Sequence, residues 1–432
     1  MTHANRSCSP HLRGRATLGA LKSLACLTLF AALATGCATA RHADVIDKAL
    51  ASTPLLKSVS EHAPDYRLQI AIARVDQAPT GPTLTRWTYR CGEEYFYPAS
   101  CVKLFGVIAA LERLHELQES TGNSLLSADT PMRIGPLFEG DPVQDRDPTN
   151  ITDGTITIQH ELRKIFLVSD NDAFNRLVDF VGFDDLNARM HRAGLSSVAI
   201  THRLSESRRV PNPASSAPIT FVTPRGDIKL EPVVSVGHPS NAGQKRLQVG
   251  TGYMRGKELV KTPMDFTTRN GVSLTDLQNA LIMTVRPDID IGLPGFKLDE
   301  GDRRRIIGVM AEYPHQSSNP VYAGPDFPDE FCKFGLPGLL NWRPQSRLQI
   351  LDKIGQAYGF TIDNACVTDV QTGATFFIAA AIYTNADGIL NDDVYEYTSI
   401  AEPFMAELAL AIAKQLDSSA AGDSGTASSK AP

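Results

Sequence analysis

Apolar positions recur at helical spacing over residues 43–50, after which the pattern changes. Tyr66–Val75 and Leu84–Tyr89 read as two strands joined by a loop of Pro and Gly. From Ala99 to about Leu117 the chain becomes a strongly apolar helix, and Pro98 suits its start. Ile158–Val168 and Asp172–Val181 are two further helices, interrupted at Ser169-Asp170-Asn171. Residues 203–262 are rich in Pro, Gly, Ser and Arg and predict long loops with a short added hairpin. Leu274–Met283 returns to helix, Arg347–Lys353 and Thr375–Thr384 read as strands, and Ile400–Gln415 as the closing helix. Strands at both ends with helices between predict an α/β (α+β) fold. One antiparallel sheet is built from the two chain ends and flanked by helices, with an all-helical lobe inserted between them.

Charge and hydropathy add an address. The first 36 residues carry Arg6, Arg13, Arg15 and Lys22, no acidic residue, and an apolar run from Leu24 onward, the form of an export signal. Leu33-Ala34-Thr35-Gly36-Cys37 resembles a bacterial lipobox, which makes Cys37 the expected lipidation site and the membrane a partner through that anchor. Ordinary cleavage after Ala38-Thr39-Ala40 is the alternative. Either way the expected location is the cell envelope or periplasm. Losing those four basic residues takes the formal net charge from −6 to about −10, and so acidic a chain has no electrostatic footprint for nucleic acid. No second apolar run is long enough to span a bilayer.

Beyond Cys37, cysteines remain at 91, 101, 332 and 366. Two bridges with three connectivities are open to them in an oxidising compartment, Cys332–Cys366 being the first choice, and buried free thiols are the alternative. There is no H-E-x-x-H and no C-x-x-C, so no metal or other cofactor is expected. Ser418–Pro432 is rich in Ser, Ala and Gly and predicts a disordered tail.

Candidate chemistry starts at Ser100 and Lys103. Residues three apart share a helix face, so a hydroxyl and an amine come within reach of one another. Serine needs a neighbouring base to become a nucleophile, and lysine serves only if desolvation or nearby positive charge lowers its pKa. Leu104, Phe105, Val107, Ile108 and Leu111 surround Lys103 with apolar helix. A helix cap with a snorkelling lysine is the structural alternative. Ser169-Asp170-Asn171 stands between two helices, where a turn can aim side chains into a cleft or merely cap the next helix. Two segments, Lys333-Phe334-Gly335 and Lys353-Ile354-Gly355, offer a lysine and a glycine two residues later. The second is preferred because it ends a strand and precedes a turn, another strand and the last helix.

Together Ser100-Cys101-Val102-Lys103 within Tyr97–Leu104, Ser169-Asp170-Asn171 and Lys353-Ile354-Gly355 resemble the S-x-x-K, S-D-N and K-T-G set of class A β-lactamases and penicillin-binding proteins. The resemblance covers most of residues 43–415. It implies a β-lactamase/transpeptidase-like domain over 43–416, with inserted loops around 203–262 and 286–345, after a signal over 1–36 and a lipidated linker over 37–42. The tail then spans 417–432. It implies a serine hydrolase in which Ser100 attacks, Lys103 is the general base and Ser169 relays a proton. Asn171, Lys353 and Gly355 would hold a small acyl substrate such as a β-lactam, and the amides of Ser100 and Gln356 would form the oxyanion hole. Glu206, 35 residues beyond Asn171, is the candidate for activating the deacylating water. Ile354 stands where the family has Thr or Ser, which removes a hydroxyl from carboxylate recognition. A peptidoglycan D,D-peptidase, an esterase, or an envelope binding module without turnover are the alternatives. A monomer is expected.

Overall fold

Period-two alternation fixes the sheet. In β1 (Gln69–Ala78) Ile70 and Ile72 join one apolar cluster, while Ala71 and Ala73 join another on the opposite face. The computed structural model describes residues 45–206 and 215–426. β1 pairs antiparallel with β2 (Gly81–Tyr89) and, on its other side, with a strand from the far end of the chain. The C-terminal strands are β3 (Leu348–Asp352), β4 (Gly355–Ala357), β5 (Phe360–Asp369) and β6 (Thr375–Tyr383). Their order is β3–β5–β6–β1–β2, with β4 also on β5 and every pair antiparallel. The sheet from both chain ends is therefore as the pattern predicts.

β6 alternates in the same way. Phe376, Ile378, Ala380 and Ile382 face the cluster formed with α1 (Pro54–Glu61) and the closing helix, whereas Phe377, Ala379 and Ala381 face the helical lobe. At the centre of that lobe lies α2 (Lys103–Thr121), buried on nearly every side over its first half. Such a helix carries little amphipathic signal because it has no solvent face to mark. Around it stand α3 (Ile158–Val168), α4 (Asn171–Val181), α5 (Phe183–Arg192), α6 (Leu274–Val285) and α7 (Glu300–Ala311). A Cβ on Gly106 would stand 2.8 Å from the Phe174 ring, so glycine lets α4 close on α2. Short α8 (Leu336–Leu339) packs under α9 (Glu402–Thr426).

Several expectations change. The turn at Ala99 opens with a 3-10 segment, Ala99–Val102, before α2 begins. β5 was not foreseen as a separate strand, nor were α5 and α7 as helices; α7 lies inside the 286–345 stretch expected as inserted loop. The 203–262 stretch holds more than one hairpin. Ile219–Phe221 and Ile228–Leu230 extend Met132–Ile134 into a small sheet, and Gly252–Arg255 pairs with Glu258–Val260 and with Ile389–Leu390. α9 runs on to Thr426, into the stretch expected as disordered tail. Cys332 and Cys366 do not form the expected bridge: they are buried free thiols, as is Cys101, and half-buried Cys91 is free as well. The signal over 1–36, the linker over 37–42 and its Cys37 lie outside the described residues. Among the described residues no helix is long and apolar enough to cross a membrane.

Candidate active site

Ser100 sits in the tight turn that feeds α2. Ala99 before it takes the left-handed conformation (φ 46°), unusual for a side chain bearing Cβ, and the Cys101 amide donates to the Pro98 carbonyl at 3.0 Å. β4 abuts this turn. A Cβ on Gly355 would fall 2.5 Å from the Pro98 carbonyl oxygen and 3.0 Å from the Ser100 nitrogen, which only glycine avoids. β3 and β4 keep one register against β5, so Leu348–Ala357 is a single strand interrupted at Lys353-Ile354. The Lys353 amide bonds inward to the Asn364 carbonyl at 3.1 Å. Hydrogen-bonding direction alternates along an antiparallel strand, which turns the amide of Gln356 outward, off the sheet and toward the Ser100 turn.

Lys103 opens α2 with no exposed surface. Its Nζ donates to the Asn171 Oδ1 at 2.7 Å, to the Ser169 Oγ at 3.2 Å and to the Ser169 carbonyl. Burial holds its pKa well below the usual lysine value, and the Lys353 charge pushes it the same way. Lys353, 1 % exposed, donates to the Ser169 Oγ at 2.9 Å and to the Ile354 carbonyl at 2.8 Å. One serine hydroxyl thus joins two lysine amines. It can accept from the Lys353 ammonium and pass its own proton to a neutral Lys103. The Ser100 hydroxyl makes no hydrogen bond among the described residues, so at rest Lys103 is turned to Ser169 and Asn171 rather than to it.

The Ser169-Asp170-Asn171 turn owes its shape to the two helices it links. Ser169 ends α3 in the left-handed conformation (φ 58°), and Asp170 caps α4 by accepting from the Ala173 amide at 2.8 Å. Capping therefore falls to the middle residue and frees its neighbours for the cleft. α4 also holds the next loop. Asn175 exchanges two 2.9 Å hydrogen bonds with the backbone of Leu204, the Asn171 Nδ2 donates to the Ser205 Oγ at 2.9 Å, and Arg203 pairs with buried Asp179. This fastening brings Glu206 to the wall of the cavity that Ser100 and Asn171 line.

That cavity, about 710 Å³, includes Tyr97 at the head of the serine segment and residues that no motif marked: His202, Arg269, Tyr358, Tyr395 and Tyr397. Tyr97 stacks on His202 and meets Tyr358 edge-on at 5.1 Å between ring centres. Burial lowers the His202 pKa to about 4, so it is a neutral imidazole at ordinary pH. The Arg269 guanidinium has no hydrogen-bond or ion-pair partner among the described residues, which makes it the cleft's available cation. No sequence signal pointed to it, since it arrives from the end of the long loop region, just before α6. The discarded Lys333 is buried elsewhere, its Nζ donating to the Met310 and Ile350 carbonyls at 2.6 and 2.8 Å.

Residues 83–228 match the model of the beta-lactamase enzyme family, a stretch that holds both Ser100–Lys103 and Ser169–Asn171. That stretch is similar to the β-lactamase enzyme family. Three solved β-lactamases are similar to it in structure. One from Streptosporangium roseum is 17% identical, with 84% of this chain and 97% of the other covered at a TM-score of 0.45. The second, from Xanthomonas campestris pv. campestris, is 15% identical over 84% and 97%, at 0.46. Another, from Sphaerobacter thermophilus, is 13% identical over 85% and 95%, at 0.45. No curated protein matches the sequence. The family match ends before Lys353-Ile354-Gly355, so that third motif stands on its geometry alone: a buried lysine bound to Ser169, and a glycine pressed on the serine turn.

Proposed function

We propose that the chain is a class A-like serine hydrolase that forms an acyl-enzyme on Ser100 and releases it to water, with β-lactams and related small acyl compounds as substrates. The observation that carries this reading is the buried Lys103 with its lowered pKa, joined through one hydroxyl to Lys353. An unprotonated Lys103 takes the proton of Ser100 as its oxygen attacks the acyl carbon. The outward amide of Gln356 and that of Ser100 receive the developing negative charge. Ser169 then delivers the proton from Lys103 to the leaving atom, a relay its position between the two amines supports. Asn171 and Arg269 hold substrate, the enclosed Lys353 acts on it through the Ser169 hydroxyl, Gly355 admits it to the strand edge, and Glu206 activates the water of the second half-reaction.

A peptidase or esterase using the same machinery is the second reading, favoured by Ile354, which brings no hydroxyl to a substrate carboxylate. Export and a lipid anchor at Cys37 belong to the proposal too, supported by the basic and apolar pattern of the first 36 residues. The test is intact-mass measurement over time with penicillins, cephalosporins and peptidoglycan fragments. Addition of one acyl group followed by its loss is expected, and Ser100→Ala should show neither. Acylation that persists in Ser100→Ala removes Ser100 as nucleophile.

A further inference from the structure

Ser100 and Gln356 are shared by two cavities of unlike chemistry. The first is the tyrosine- and Arg269-lined space described above. The second, about 660 Å³, is walled by Val168, Phe331, Phe334, Pro337, Ile354 and Pro403. Its charged lining residues are both acidic, Glu330 and Glu402. The Glu402 carboxylate also accepts from the Gln356 side chain at 3.2 Å. Lys353 lines neither cavity, because its ammonium is enclosed between Ser169 and the Ile354 carbonyl.

Ser169 lines the second cavity and Asn171 the first. Whatever group departs must receive its proton from the Ser169 side, so the leaving group occupies the second cavity and the acyl part the first. We infer that the preferred substrates are acyl esters or amides whose leaving group is uncharged and apolar, and that a carboxylate on the leaving side is selected against, so that penicillins and cephalosporins, which carry theirs beside the departing nitrogen, are slower substrates than such esters. This rests on the acyl-enzyme reading above. In the first step the Ser100 oxygen bonds to the acyl carbon while the bond to the leaving oxygen or nitrogen breaks. The Ser100 proton moves through Lys103 and Ser169 to that atom. Water then attacks the ester, releases a carboxylic acid and restores the serine. The apolar wall rewards a departing hydrocarbon or aromatic group, and two carboxylates with no facing cation repel an anionic one.

The test compares two chromogenic esters of one acyl group, a nitrophenyl ester and the same ester with a ring carboxylate on the phenol. The uncharged ester should have the higher kcat/KM by about tenfold or more. Ile354→Thr and Glu330→Gln should each raise kcat/KM for the carboxylated ester and so narrow the ratio, whereas Phe334→Ala should lower it for the uncharged one. Equal or faster turnover of the carboxylated ester overturns the inference, as does a ratio that none of the three substitutions moves. Covalent labelling by a fluorophosphonate probe is read in parallel. Labelling lost in Ser100→Ala, together with an inverted ester ratio, sinks the leaving-group assignment and leaves the hydrolase reading standing. Absence of labelling in the parent protein sinks both.

Discussion

Lys103 has no exposed surface, and the chemistry proposed for it depends on that burial. Burial and the Lys353 charge both oppose its ammonium form. The fraction of free amine therefore grows with pH through a midpoint well below 10.5, and the acylation rate should follow it in stopped-flow measurements across that range. The same shift enters stability with a definite sign. Between its native pKa and the ordinary lysine value the native state binds fewer protons than the unfolded chain, so this group makes stability rise with pH there. Lys103→Arg keeps a permanent charge and should slow acylation by roughly 10²–10⁴-fold, measured as single-turnover adduct formation by mass. Ser100, Lys103, Ser169 and Asn171 were legible in the chain because each needs a particular functional group at a short, fixed spacing. Arg269 was not, because its place in the cleft is set by the route of a long loop rather than by any local pattern.

Elements act here by pressing backbone against backbone. β4 touches the serine turn at Gly355, so Gly355→Ala must move the strand edge away from Ser100 and part the two oxyanion donors. Acylation should fall roughly 10²–10³-fold, with circular dichroism of the variant unchanged. The loop bearing Glu206 depends instead on Arg203, whose partner Asp179 is 6 % exposed. Arg203→Ala leaves that carboxylate buried without its cation and should cost about 3–5 kcal/mol in urea unfolding. Removing both charges with Arg203→Leu and Asp179→Leu together should cost less. β1, β6 and the helices α3, α4 and α6 were readable from periodicity. β5 was missed because Thr361, Asp363, Asn364 and Thr368 interrupt its apolar run. Asp363 and Asn364 satisfy partners inside the protein, the Asn364 Nδ2 donating to the Leu277 carbonyl at 3.0 Å and the Asp363 Oδ2 accepting from the Gly335 amide at 3.0 Å. Buried polar residues whose partners lie far off in the chain look like loop when only the sequence is seen.

Across the whole molecule, three of the four free thiols among the described residues are buried, Cys101 and Cys366 within the apolar cluster that the sheet shares with the helical lobe. Burial raises Cys91 to about 11 and Cys366 to about 12, and raises Cys101 and Cys332 as well. A thiol reagent should therefore react slowly with the native chain from residue 43 onward and reach four equivalents once it unfolds, while added reductant should leave the melting temperature unchanged. The wall of the proposed oxyanion site comes from residues 348–357, some 250 positions after Ser100. A nascent chain emerging from the ribosome thus exposes its serine long before it can use it. On the proposed reading, reactivity arrives only when the last strands join the first, so synthesis itself would keep the half-made chain inert.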